Sequence, residues 1–241
     1  MTTPLKNTAW RQGLYAVSTE KKCCLGAMRI TEDGRTFRYG KAGGTLVPGG
    51  AVFGAAAVAN HVSEVQTAYS NAAGALVVTV LIGGTALTAN QYDDGYLIVQ
   101  RTATGTQGLI YPIASHTTSA AGTETVLVTL KEPLLKATLA TDYFSLIANP
   151  WASLVAATDI ATSYAGQAFV TMASGEYGWF QTGGLGVATG GDTSAVGMAL
   201  SPSDTESCLE TASGYTGPFL GYVYGTAFES GYCSPVMLTV D

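Results

Sequence analysis

Few side chains in this 241-residue sequence could do chemistry. His61 and His116 are its two histidines, and His116 lies in "IASHTTS", a Ser/Thr-rich context that suits a polar surface group better than a general base. Asp93 and Asp94 are adjacent. A glycosidase needs two carboxylates facing each other across a cleft, whereas neighbours on an extended chain point to opposite sides. Asp-Asp-Gly is in the first place a hairpin-turn signal. The oxygen-rich DxDxDG loop of a calcium site is missing, as are the GxSxG elbow, the GxxxxGK[ST] loop and the HExxH zinc motif. "GGLGVATGG", residues 183–191, has glycines without the strand–helix context of a dinucleotide fingerprint, and is expected to form turns. Cys23, Cys24, Cys208 and Cys233 show no paired CxxC spacing. A vicinal Cys23–Cys24 bridge would be strained, so free thiols are expected. The expectation is a protein that is not an enzyme and has no catalytic, cofactor or metal site.

The aromatic run "EYGWFQTGG" is the other candidate for function. On a strand over 176–182, Tyr177, Trp179 and Gln181 share one face, and Gly178, Phe180 and Thr182 the other. A sugar-binding platform would leave one face open, with polar groups around the rings. Rings on both faces instead demand cover on both, so this strand is expected to be buried in a β core, at a subunit interface, or both.

Apolar residues make up 47% of the chain and charged residues 12%, about half the usual share of charge. A surface so poor in charge is expected to be covered by other chains. The charge is also uneven. Residues 1–41 hold eight bases against three acids, a net +5, and residues 42–241 hold three against fourteen, a net −11. The basic N-terminal region is therefore expected to dock on something acidic, either a neighbour or the chain's own body. Trp10, Arg11, Tyr15, Arg29, Arg35 and Arg38 are the contact candidates there, since guanidinium forks suit carboxylates. Deleting residues 1–27 is expected to leave the β body folded. The scattered bases and the acidic body argue against nucleic acid. No apolar stretch has membrane-spanning length, and the N-terminus lacks a secretory core, so a soluble product of the cytoplasm is expected.

From residue 74 onward the elements behind these residues are β throughout. Asp33-Gly34 between two β-prone runs predicts a hairpin over 28–40 with a type I′ turn. Residues 51–69, with Val58, Val62 and Val65 at helical spacing, predict a short helix or an extended arm. "GALVVTVLIGG" predicts a strand buried on both sides, and Pro112 makes its segment an edge strand or interrupts it. Short strands continue to the end. The expected fold is an all-β sandwich or barrel-like domain with an irregular N-terminal arm and at most one short helix. Its expected regions are 1–50, 51–150 and 151–241, the last two forming one domain or two, with a hinge at "NPW".

The segments "EDGRTFRYGKAGGTLVPG", "ANHV", "TANQYDDGYLIVQRTATGTQGLIYPIASH", "VLVTLKEPL", "YFSLIANPW" and "GEYGWFQTGGLGVA" carry a resemblance over roughly residues 30–190. The chain resembles the virion structural proteins of tailed bacteriophages, in particular capsid decoration or cement proteins. That resemblance implies a homotrimer bound to the major capsid protein on the outer surface of the virion, made in the host cytoplasm. In that setting Tyr177, Trp179 and Phe180 would be capsid or subunit contacts. Residues 191–232 and Cys23-Cys24 match no motif of the family, which leaves open a fibre, vertex or receptor-binding role, including carbohydrate binding.

Overall fold

Alternating short β-prone runs and glycine turns build a chain with no helix among the described residues. The computed structural model describes residues 11–54, 56–65, 69–100, 108–122, 124–156, 163–203, 208–211, 219–227 and 229–241. Its strands are β1 (Met28–Ile30), β2 (Thr36–Lys41), β3 (Ala51–Phe53), β4 (Glu64–Val65), β5 (Val77–Ile82), β6 (Tyr96–Gln100), β7 (Leu109–His116) and β8 (Glu124–Leu130). They continue as β9 (Tyr143–Ile147), β10 (Tyr164–Gln167), β11 (Tyr177–Thr189), β12 (Ala199–Pro202), β13 (Leu209–Thr211), β14 (Gly221–Val223) and β15 (Cys233–Thr239). They form two antiparallel sheets, and among the described residues neither closes into a barrel. Residues 51–69 contain β3 and β4 with loop between, and no helix among their described residues.

The chain divides into two compact units. One joins residues 1–56 to 150–241, and the other is residues 57–149. The regions expected at 1–50 and 151–241 thus belong to a single body, and the break at "NPW" falls between Asn149 and Pro150.

In the discontinuous unit the sheet runs β1-β2-β11-β15-β14-β12-β13, with β10 pairing both β11 and β3. Strand β11 is its spine. Tyr177–Gln181 pair with β2, and Gly183–Thr189 pair with β15. A register shift between Gln181 and Gly183 marks the hand-over, where Gly184 takes φ +80°. A side chain there would press on the Arg35 backbone. The glycines of 183–189 expected to make turns are therefore strand residues, used where two partners need a bent strand. The hairpin β1–β2 forms as expected, but its turn differs. Gly34 N–H donates to the Thr31 carbonyl, Thr31 N–H donates to the Arg35 carbonyl, and Gly34 alone takes positive φ. That is a type I turn closed by a glycine bulge, because Asp33 keeps negative φ.

Residues 11–27 are not a separate arm. Ser18 bridges Tyr177, Gln12 is buried, and Leu14, Cys23, Leu25 and Ala27 pack on the cluster of Phe37, Tyr39 and Trp179. Removing residues 1–27 would strip this core, contrary to the expectation of an intact body.

In the unit 57–149 the order is β4-β9-β6-β7-β8-β5 around one core that includes Val78, Val80, Ile82, Leu97, Val126, Val128 and Phe144. Pro112 lies inside β7, an interior strand rather than an edge. Residues 109–112 pair with β6, and 113–116 pair with β8 across a bulge between Ile113 and Ser115. Proline is accommodated where the strand changes partner, and its carbonyl accepts the Lys131 N–H at 2.8 Å. Strand β5 is buried on one side only. Val78, Val80 and Ile82 face the core, while Val77 is 52% exposed. The expected two-sided burial fails because, among the described residues, the outer face of β5 leaves Val77 exposed and covers Thr79 and Leu81 only in part.

Candidate functional site

Trp179 and Phe180 are both 0% exposed within the single chain, on opposite faces of β11. Trp179 packs with Phe37 and Tyr39, and Phe180 with Leu46, Leu154 and Met172. Neither presents surface to a partner. Gln12 secures the Trp179 side: its Nε2 donates to the carbonyls of Ala16 (2.6 Å) and Tyr177 (2.8 Å). Its Oε1 accepts the Tyr39 hydroxyl (2.7 Å), and its carbonyl accepts Trp179 Nε1–H (3.3 Å). Burial pushes the Tyr39 phenol up. Tyr177 is half-buried, stacked on Tyr39, with the Lys41 ammonium over its ring.

Arg29, Arg35 and Arg38 meet groups of their own chain. Arg38 grips Asp241 with two nitrogens, Nε–Oδ2 at 2.8 Å and Nη2–Oδ1 at 3.1 Å, and its Nη1 donates to the Gly26 carbonyl. The guanidinium, with help from the Thr182 hydroxyl, holds the Asp241 carboxyl below its ordinary range. Arg35 pairs with Asp33 at 2.8 Å, across the hairpin turn. The Arg29 guanidinium lies 5.8 Å from the Trp179 ring centroid, and its Nη1 is buried without a hydrogen bond. Arg11 is exposed, and Trp10 lies outside the described residues.

Tyr15 and Arg35 come together at a cleft of about 590 Å³ in the discontinuous unit. Tyr15 is 64% exposed and meets Phe169 edge-on, ring centroids 5.2 Å apart; Phe169 in turn packs on Phe37. The Tyr15 hydroxyl sits by the Arg35 guanidinium and raises its affinity for the proton. The wall continues through Leu185, Val187 and Pro235, with Gln167 and Gln181 as its uncharged polar side chains. These two glutamines are register partners on β10 and β11. Gln181 is satisfied, donating to the Gly183 and Leu185 carbonyls. Gln167 is 2% exposed, and its carboxamide meets the buried Tyr164 hydroxyl rather than solvent. Burial pushes the Tyr164 phenol up, and its contact with the Gln167 side chain opposes that in part. The sequence offered Gln181 as the polar group beside the rings but not Gln167, since β10 and β11 meet only in the fold.

The unit 57–149 gathers both histidines around Tyr92. His61 is 1% exposed; its Nε2 meets the Thr85 carbonyl at 2.9 Å and its Nδ1 the Tyr92 hydroxyl at 2.8 Å. A carbonyl only accepts, so Nε2 carries the proton and Nδ1 accepts from Tyr92. His116 accepts the Tyr92 N–H through Nε2 and donates from Nδ1 to the Thr117 carbonyl. Its side chain is 1% exposed, not a surface group as expected. Both rings are fully engaged in holding loops, and burial raises the Tyr92 phenol to about 12. Asp94, in the left-handed region at φ 60°, binds Lys131, and so serves the turn. All four cysteines are free, and among the described residues no three His, Cys, Asp or Glu side chains cluster as a metal site would need.

No protein-family profile, curated protein or solved structure matches the chain.

Proposed function

We propose that the protein is a non-enzymatic capsid decoration, or cement, protein of a tailed bacteriophage. In this reading it binds the major capsid protein on the outside of the shell, stabilises that shell and self-associates as a homotrimer. The supporting observation is the outer face of β5 and β8. Its residues pair as Val77 with Thr129, Thr79 with Leu127, and Leu81 with Thr125, a patch without one charge. Val77 and Leu127 are each about half exposed there. Such a face favours cover by another protein surface. The strand edge itself is guarded, because the Asn71 carboxamide accepts the Thr79 N–H at 2.8 Å and donates to the Thr79 carbonyl at 3.2 Å. Docking therefore uses the face of the sheet rather than addition of a strand.

The test is to add the purified protein to shells lacking it, and to image them by electron cryomicroscopy. Regular density over the shell and a raised shell-disruption temperature are expected. Protein found only at tail or vertices favours the second reading, a fibre, vertex or receptor-binding protein, which the open cleft beside Tyr15 supports.

A further inference from the structure

We infer that His116 is a proton-operated latch on the turn 89–94, between β5 and β6. The neutral ring makes two bonds. Its Nδ1–H donates to the Thr117 carbonyl at 2.9 Å, and its Nε2 accepts the Tyr92 N–H at 3.0 Å. Those partners fix the tautomer, because a carbonyl only accepts and a backbone N–H only donates. A proton added to the ring therefore goes to Nε2. It sets two donors face to face across 3.0 Å, and the Tyr92 N–H loses its acceptor.

Asp93 is the second observation. Its side chain reaches solvent, but its Oδ1 is buried, accepts no hydrogen bond among the described residues, and lies 4.0 Å from His116 Nε2. Beside a neutral ring, that places two acceptors next to each other. A charged ring instead presents a donor to the carboxylate, and a charge-assisted hydrogen bond is the stronger kind. One proton thus exchanges the Tyr92 N–H for Asp93 Oδ1. The His116 side chain is 1% exposed, so water is poorly placed to stand in for either partner.

The other groups around the ring leave the exchange to this pair. The Tyr92 phenol, its ring centroid 6.0 Å from that of His116, is pushed up to about 12 and stays neutral. Its hydroxyl donates to His61 Nδ1, so the second imidazole is one side chain removed. Asp94 is engaged by Lys131 at 2.6 Å. On β8 the register partner of His116 is Val128, which carries no charge. Asn90 and Asp94 both hold left-handed backbone at φ 60°, and a turn with two such non-glycine residues depends on its ties. Release at Tyr92 also reaches His61, whose Nε2–H holds the Thr85 carbonyl. The latch is independent of where on a virion the protein sits, so the isolated full chain tests it.

The test is NMR from about pH 8 to about pH 5, the range in which imidazole changes charge. At the alkaline end the His116 nitrogen shifts should report the Nδ1–H tautomer, with the Tyr92 amide protected from exchange. On acidification the Tyr92 amide should shift with the same midpoint as the His116 ring. Its exchange, corrected for the intrinsic rate, should speed up by about tenfold, the loss of one hydrogen bond. His116→Gln puts an uncharged amide in place of the ring, so the Tyr92 amide should stay protected at every pH. Asp93→Asn removes the receiving carboxylate, and the His116 midpoint should fall by about half a unit or more. Should His116→Gln lose its fold, the native titration and Asp93→Asn decide. The latch is overturned if His116 holds the Nε2–H tautomer at the alkaline end or stays neutral at the acid end. It is equally overturned if the Tyr92 amide ignores the ring's titration, or if Asp93→Asn leaves the midpoint unchanged.

Discussion

Gln12 shows how much one side chain can hold. Through its amide and carbonyl it ties residues 12–16 to Tyr39, Tyr177 and Trp179. Replacing Trp179 with alanine should cost about 3–5 kcal/mol of folding free energy, the range for deleting a large buried ring. Because the ring is closed off within one chain, urea unfolding should shift even at dilutions where no oligomer persists. A variant that merely dissociates, with an unchanged unfolding midpoint, would contradict this account. Asp241 supplies a pH test. Its folded carboxyl titrates below its ordinary value because of Arg38, so its stabilising contribution is present above the unfolded pKa, about 4. That contribution is lost as pH falls through the lowered folded value. Asp241→Asn should therefore lower the melting temperature at pH 7 and flatten the loss of stability below about pH 4. Identical acid profiles for the two proteins would show that the pair is too screened to matter.

At the scale of elements, the segment 11–27 behaves as a layer of the core. Deleting it should expose Trp179 and unfold the discontinuous unit, read as lost near-ultraviolet dichroism and rapid proteolysis. Gly221 makes a similar demand on β14. It sits at φ 150°, and a Cβ there would collide with the Met237 carbonyl of β15. Gly221→Ala should destabilise by more than about 1 kcal/mol, since strain and collision act together. The outer face of β5 and β8 is the opposite case. Leu127 is 47% exposed and its change to lysine should alter stability by less than about 0.5 kcal/mol. If this face is the contact surface, the same change should weaken self-association in light scattering and loosen binding to shells. Full association by the lysine variant would move the contact elsewhere.

For the whole molecule, the division into an inserted unit and a discontinuous one predicts independent folding. Gly54 and Pro150 lie together where the insertion leaves and rejoins its host, with a Cβ at Gly54 only 3.4 Å from the Pro150 carbonyl. A fragment of residues 57–149 should therefore fold alone, with a dispersed NMR spectrum and a cooperative transition. Its own core of buried aliphatic and aromatic side chains supplies the driving force. A fragment that remains unfolded would mean that the host unit is needed for its stability.

The all-β class was legible from local sequence. Alternating apolar residues, β-branched runs and Asp-Gly or Gly-rich breaks act over a few residues, and the hairpin around Asp33-Gly34 follows from them. So does the burial of Trp179 and Phe180, since rings on both sides of a strand need cover wherever the strand lies. What covers them was not legible, because it depends on residues far apart in the chain, such as Gln12 against Trp179. The same distance hid the fate of the glycines at 183–186, the place of Pro112 in an interior strand, and the histidines that close on Tyr92. Arg38 illustrates the limit most plainly. Its type and charge called for a carboxylate, but only the tertiary structure chose Asp241, 203 residues away, because side-chain chemistry specifies the kind of partner and sheet topology decides which one comes within reach.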